Sequence, residues 1–145
     1  MQEIGNKIDF GYDSLDEAFP PCEPGVEPLG SRVLVQVRTP KSKTKGGIIL
    51  TREVQETESY NTQVAKVLMI GPLAFKNREK MTPWPEGAWC NPGDFVRVPK
   101  YGGDRWTVKV KKPDGSDDEA ILIIFDDLNL VAKITGDPLA VKAFL

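Results

Sequence analysis

The residues best suited by type to do chemistry are two thiols and a run of carboxylates. Cys22 and Cys90 lie far apart, so they make neither a metal-binding spacing nor a disulfide framework, and both are expected to be free. Asp114, Asp117, Asp118 and Glu119 crowd into a turn sequence without the regular ligand spacing of a calcium loop, which reads as a solvated hairpin tip. Histidine is absent, which removes imidazole acid–base chemistry and most zinc sites. No nucleophile elbow and no phosphate-cradling glycine loop occurs. Tyr101 and Trp106 could stack a base, but no basic patch accompanies them, so packing is their expected role. The chain is therefore expected to be no enzyme, with no cofactor and no metal.

The chemistry that remains is adhesion. Residues 41–61 read KSKTKGGIILTREVQETESYN. Lys41, Lys43 and Lys45 stand on one side of an apolar triplet and Glu53, Glu56 and Glu58 on the other. Gly46 and Gly47 precede Ile48, Ile49 and Leu50 and free the backbone there. So polar a stretch cannot bury enough apolar surface to offset its ordering entropy. A loop of this length in a compact domain is functional or disordered. One reading is a long connection, mobile when free, whose apolar tip is ordered by a partner's groove. The other is a buried strand over 47–54, since three adjacent apolar residues suit one and periodicity cannot separate the two.

Strands must present that stretch. β-Branched and apolar runs predict strands over 33–37, 63–70, 95–98, 106–110 and 120–125, with a closing strand over 128–134. Gly71-Pro72, Asn91-Pro92-Gly93-Asp94 and Pro113-Asp114-Gly115 punctuate them as turns. Short strands between turn signals, with no strand–helix alternation, predict an all-β barrel or sandwich. Residues 73–91 carry prolines, mixed charges and two tryptophans, Trp84 and Trp89, and read as a loop or irregular hairpin. Large rings in a loop need burial or a partner.

Residues 1–27 read as an extension. Ser14 with Glu17 forms a capping-box pattern for one helical turn, and Pro20, Pro21 and Pro24 then stop it. A poorly ordered tail is the expectation. Residues 135–145 form a second tail, in which Asp137-Pro138 could open a brief helix.

At 145 residues the chain can hold one domain with a core and tails. A net charge of −2 argues against a general nucleic-acid binder. No apolar run approaches membrane-spanning length, and the first residues lack the basic and apolar regions of a secretion signal.

The order of segments resembles the GroES family of co-chaperonins. PLGSRVLVQ at 28–36 is similar to the family's opening strand, P-L-x-D-R-V. KGGIIL at 45–50 resembles its mobile-loop signature, and AKVLMIGP at 65–72 the strand that follows. PGDFVRVPKYGG at 92–103 resembles the G-D-x-V stretch and Y-G-G turn, and AILIIFDDLNLVAKI at 120–134 the closing strands. The family departs from this chain at Gly30-Ser31, at both ends, in the tryptophan-bearing 73–91 segment and in the extended turn at 113–119. A divergent member, such as a virus-encoded one acting in its host's cytoplasm, would show such departures.

The resemblance implies a small GroES-like β-barrel over 28–134, with a mobile loop at 41–61 and a roof segment at 73–91. It implies a seven-membered homo-oligomeric ring in the cytoplasm that caps a chaperonin and encloses an unfolded client, while the chaperonin binds and hydrolyses ATP. Gly46, Gly47, Ile48, Ile49 and Leu50 would dock in the chaperonin's groove. Trp84, Trp89 and Tyr101 would face the chamber or roof, and excision of 74–88 would spare the ring. No nucleic acid and no membrane is expected as a partner. A fragment of a zinc alcohol dehydrogenase, which carries a similar barrel, would need cysteine and histidine ligands and a dinucleotide-binding domain. The other alternative is a non-enzymatic structural or assembly barrel.

Overall fold

A computed structural model describes residues 14–39, 63–100, 102–111 and 115–139. Among these, six strands form one sheet in the order β4-β5-β1-β2-β3-β6, and every pairing is antiparallel. They are β1 (Arg32–Val37), β2 (Val64–Ile70), β3 (Phe95–Arg97), β4 (Asp104–Lys111), β5 (Asp117–Asp126) and β6 (Ala132–Lys133). The only other regular elements among the described residues are a one-turn helix, α1 (Leu15–Ala18), and a 3-10 turn at Asp127–Asn129. The all-β expectation holds, and the first five strands fall within a few residues of their expected places.

β1 lies inside the sheet, between β2 and β5. Its sequence shows no polar alternation because both of its faces are covered. Val33, Val35 and Val37 join the main core with Ala65, Val67, Val96, Ile121, Ile123 and Phe125. Leu34 and Gln36 point the other way and are buried as well. A bulge between Leu34 and Val35 shifts the register against β2, from Leu34↔Met69 to Val35↔Val67.

Gly71 ends β2 at a site where only glycine fits. A methyl group there would lie 2.3 Å from the Gly30 carbonyl oxygen and 2.9 Å from that of Arg32. The close approach lets Gly71 N–H donate to the Arg32 carbonyl at 2.8 Å, so the chain leaves the sheet tightly bound to β1.

Two sequence expectations need correction. The closing strand over 128–134 is reduced to Ala132–Lys133, because the Asp127 carboxylate turns inward and Leu130 N–H closes a tight turn onto the Asp127 carbonyl. Leu128 and Val131 are 57% and 61% exposed, so this run buries no regular face. Residues 14–20, expected to be a loosely held tail, are packed instead. Ser14 caps α1 as its spacing predicts, accepting from Glu17 N–H, while Ala18 and Phe19 are 0% and 2% exposed.

Candidate functional site

Residues 40–62, and with them Gly46, Gly47, Ile48, Ile49 and Leu50, lie outside the described residues, as does Tyr101. The roots from which 40–62 departs are described, and they are firmly built. Arg38 N–H donates to the Val64 carbonyl at 3.0 Å, which continues the β1–β2 ladder past Val37↔Ala65. On the return side, Val98 N–H donates to the Gln63 carbonyl at 2.9 Å, and the Gln63 side-chain amide donates to the Val98 carbonyl at 3.2 Å. Arg97 donates to Gln63 Oε1 at 3.4 Å. The connection therefore starts and ends on neighbouring antiparallel strands.

Residues 18–20 and 134–139 reach these roots. Thr39 N–H donates to the Ala18 carbonyl at 2.8 Å. The Arg38 guanidinium donates to the Pro138 carbonyl at 3.2 Å and reaches that of Leu139 at 3.4 Å. Ala18, Phe19 and Val64 form a second apolar cluster, closed by Phe95, Ile134 and Leu139. The Gln36 amide, buried on the outer face of β1, donates to the Pro20 carbonyl at 2.8 Å. Residue types alone do not signal these contacts. The absence of alternation in β1 points to a cover on its second face, but a proline-rich run reads as a linker rather than as that cover.

Residues 75–84 form an irregular hairpin, as expected. Trp84 N–H donates to the Phe75 carbonyl at 3.2 Å and Asn77 N–H to that of Thr82 at 2.7 Å, with a bridge between Lys76 and Pro83. Trp84 and Trp89 stack at 6.2 Å with 9° between their planes, and Trp89 leans on Phe75 at 5.3 Å. Both indoles are half-buried against the main core, so much of their apolar surface is satisfied within the chain. Trp89 donates to Glu86 at 2.8 Å, whereas the buried Trp84 Nε1 has no acceptor among the described residues.

Ala74 and Phe75 belong to the core itself, so excising 74–88 would remove core and not merely a roof. Phe75 has φ 61°, an uncommon left-handed conformation for a bulky residue. It is held there by Asp127, which is fully buried and whose Oδ2 accepts Phe75 N–H at 2.7 Å. Arg78 pairs with the other carboxylate oxygen. In the sequence Asp126-Asp127 reads as a plain turn, which hides this role.

Neither thiol is equipped for nucleophilic work. Both are free. Burial pushes the Cys22 thiol up, with Glu23 adding to the shift and Lys66 opposing it. Burial first, then Asp94, pushes Cys90 from 9.0 up to about 11, against the pull of Lys133. A thiol so shifted carries almost no thiolate at neutral pH. No group of three potential metal ligands gathers among the described residues, and no helix there is long and apolar enough to cross a membrane.

Comparison with known proteins agrees with this architecture. Residues 25–128 match the family described as Chaperonin 10 Kd subunit. A protein of Tetragenococcus halophilus named Co-chaperonin GroES is 35% identical over 109 residues, covering 75% of this chain and 98% of the relative. One of the same name from Methylacidiphilum infernorum is 33% identical over 114 residues, covering 79% and 98%. The 20 kDa chaperonin of Arabidopsis thaliana chloroplasts is 33% identical over 91 residues, 63% of this chain but 31% of that longer protein.

Proposed function

The chain belongs to the GroES, or chaperonin 10 Kd subunit, family, and from that premise we propose that it caps a chaperonin ring by docking the apolar triplet Ile48, Ile49 and Leu50 in the chaperonin's groove. Its role is that of a co-chaperone, with a chaperonin as partner and an oligomeric ring as its working form. The finer picture is a heptamer whose docked loops close a chamber around an unfolded client. The chaperonin supplies ATP binding and hydrolysis, and this chain performs no catalysis and holds no cofactor.

One observation carries the reading. The sheet bonds both roots of the 40–62 connection, at Arg38 and Gln63, while the sequence between them is polar except around the triplet. A fixed base with an adhesive centre suits reversible docking. Gly46 and Gly47 give the backbone the freedom to seat the triplet. We assign the 73–91 segment to the roof of the chamber, with Trp84, Trp89 and Tyr101 on its wall. The half-buried indoles would offer the client only part of their faces.

Ile49→Asp tests the docking. A charge placed in an apolar groove without a partner costs several kcal/mol, on the order of 2–7 kcal/mol even for a neutral polar group. The variant is expected to fold and assemble as the wild type, by circular dichroism and sedimentation, yet to stop co-sedimenting with a chaperonin in the presence of ATP. Unfolding of the variant would mark the triplet as core, the buried-strand reading. Normal capping by a folded variant would leave the structural or assembly barrel as the better account.

A further inference from the structure

We infer that residues 14–20 and 134–139 act together as a collar that fixes both roots of the 40–62 connection, and that this collar sets how tightly the chain docks on its chaperonin. The inference rests on the docking reading above and concerns residues beyond the 25–128 family match.

The contacts converge on two short places. On the outgoing side, regular β1 pairing ends at Val37, and the next two residues are held from outside the sheet as well as within it. Thr39 N–H donates to the Ala18 carbonyl at 2.8 Å, and Arg38 donates to the Pro138 carbonyl at 3.2 Å. On the return side, Val64 is buried among Ala18, Phe19, Phe95, Ile134 and Leu139. The Phe19 ring sits 5.1 Å from the Phe95 ring, tilted by 59°, and Ile134 N–H donates to the Phe95 carbonyl at 2.8 Å. Residues 18–19 and 134–139 thus meet over the same strand ends. Phe19 is the residue that holds the parts together, since it touches the cluster while α1 behind it supplies the Ala18 carbonyl.

The physical consequence concerns ordering. A chain segment released by its anchors must be fixed again whenever docking orders it, and that cost weakens binding. Losing the collar removes the Ala18 hold on Thr39 and the Pro138 hold on Arg38, so docking must order more of the chain at the loop's roots. The loss recurs on every subunit of a ring and compounds. Phe19 is on this view a positioning residue that touches no partner.

The test uses the full chain carrying Phe19→Ala, with Phe19→Leu as the conservative variant and Ile49→Asp as a control. Amide exchange is read at Thr39 and at the core amide of Ile123, ring mass by sedimentation, and affinity for a purified chaperonin with nucleotide by biolayer interferometry. Phe19→Ala is expected to keep the ring and Ile123 protection, to speed exchange at Thr39 by about tenfold or more, and to weaken chaperonin binding by about tenfold or more. Phe19→Leu is expected to restore most of both. Should Phe19→Ala fail to fold, Leu139→Ala, at a half-buried position of the same cluster, carries the same expectations. Binding lost with Ile49→Asp but within twofold of wild type when Thr39 exchange rises overturns the collar alone. Binding that survives Ile49→Asp overturns the docking reading itself, and the collar's effect on affinity with it.

Discussion

A thiol held at a pKa of about 11 behaves as an apolar filler at neutral pH, and Cys90 makes that role measurable. Its fold favours the protonated form. Below pH 9 both the folded and the unfolded chain keep the proton, so the full contribution to stability is present. Between pH 9 and 11 the unfolded chain releases the proton first and binds fewer protons than the fold, so stability falls. A tenfold change in an acid dissociation constant is worth ~1.4 kcal/mol, so the rise from 9.0 to about 11 sets a ceiling of about 2–3 kcal/mol on the loss. Urea unfolding of wild type and Cys90→Ala at pH 8 and pH 10.5, read as a difference between the two proteins, isolates the effect of this thiol. Wild type is expected to lose more stability than the variant over that interval. Equal losses would mean that Cys90 is not kept protonated by its burial. The thiol's isolation from Cys22 was legible in the spacing, but its depth in the core was not, because Trp89-Cys90-Asn91 sits in a stretch with no periodicity.

At the scale of elements, the strands were legible because their β-branched runs are bounded by glycine and proline. The cap of α1 was legible too, from Ser14 and Glu17 alone. The closing strand was not, since its apolar pattern cannot tell that Asp127 points inward to hold another element. That hold predicts a clear phenotype. Asp127→Ala would leave the buried Phe75 N–H without an acceptor and remove the partner of Arg78. An orphaned buried donor costs about 1–3 kcal/mol, and the strained φ of Phe75 would relax as well. The variant is expected to lose about 2–4 kcal/mol in urea unfolding and to change tryptophan fluorescence, because Phe75 supports Trp89. Asp127→Asn, which keeps an acceptor, should lose less. An Ala variant with wild-type stability and fluorescence would show that the carboxylate does not seat the hairpin.

For the whole molecule, the question is why a ring is needed. In the docking proposed above, burying Ile48, Ile49 and Leu50 would return about 1.5–3 kcal/mol each. Ordering the segment costs roughly 1–2 kcal/mol for every residue fixed. On that proposal the surplus of one loop would be small, whereas linked loops would turn later contacts into intramolecular ones. A synthetic peptide of residues 41–61 is therefore expected to bind the chaperonin about 10²–10⁴-fold more weakly than the assembled protein, measured by competition in the same assay. A peptide as tight as the assembly would remove the reason for the ring. The family's order of segments was visible in the sequence. The meeting of residues 18–19 and 134–139 at the loop's roots was not, because Thr39 and Arg38 bond there to the backbone carbonyls of Ala18 and Pro138, which leave no mark in residue type.

The position of β1 also decides when this protein can fold. The strand is among the first parts of the domain to be synthesised, yet Arg32 pairs with Asp126 and Gln36 with Leu122, far along the chain. Contacts so distant in sequence must close a large loop before they return any energy, which places folding among the slower small domains. β4 and β5 can form their hairpin locally, while β1 waits with only β2 beside it. Until β5 is made, the edge of a valine-rich strand stands open to other chains. A member of the co-chaperonin family thus passes through an aggregation hazard on its own way to the folded state.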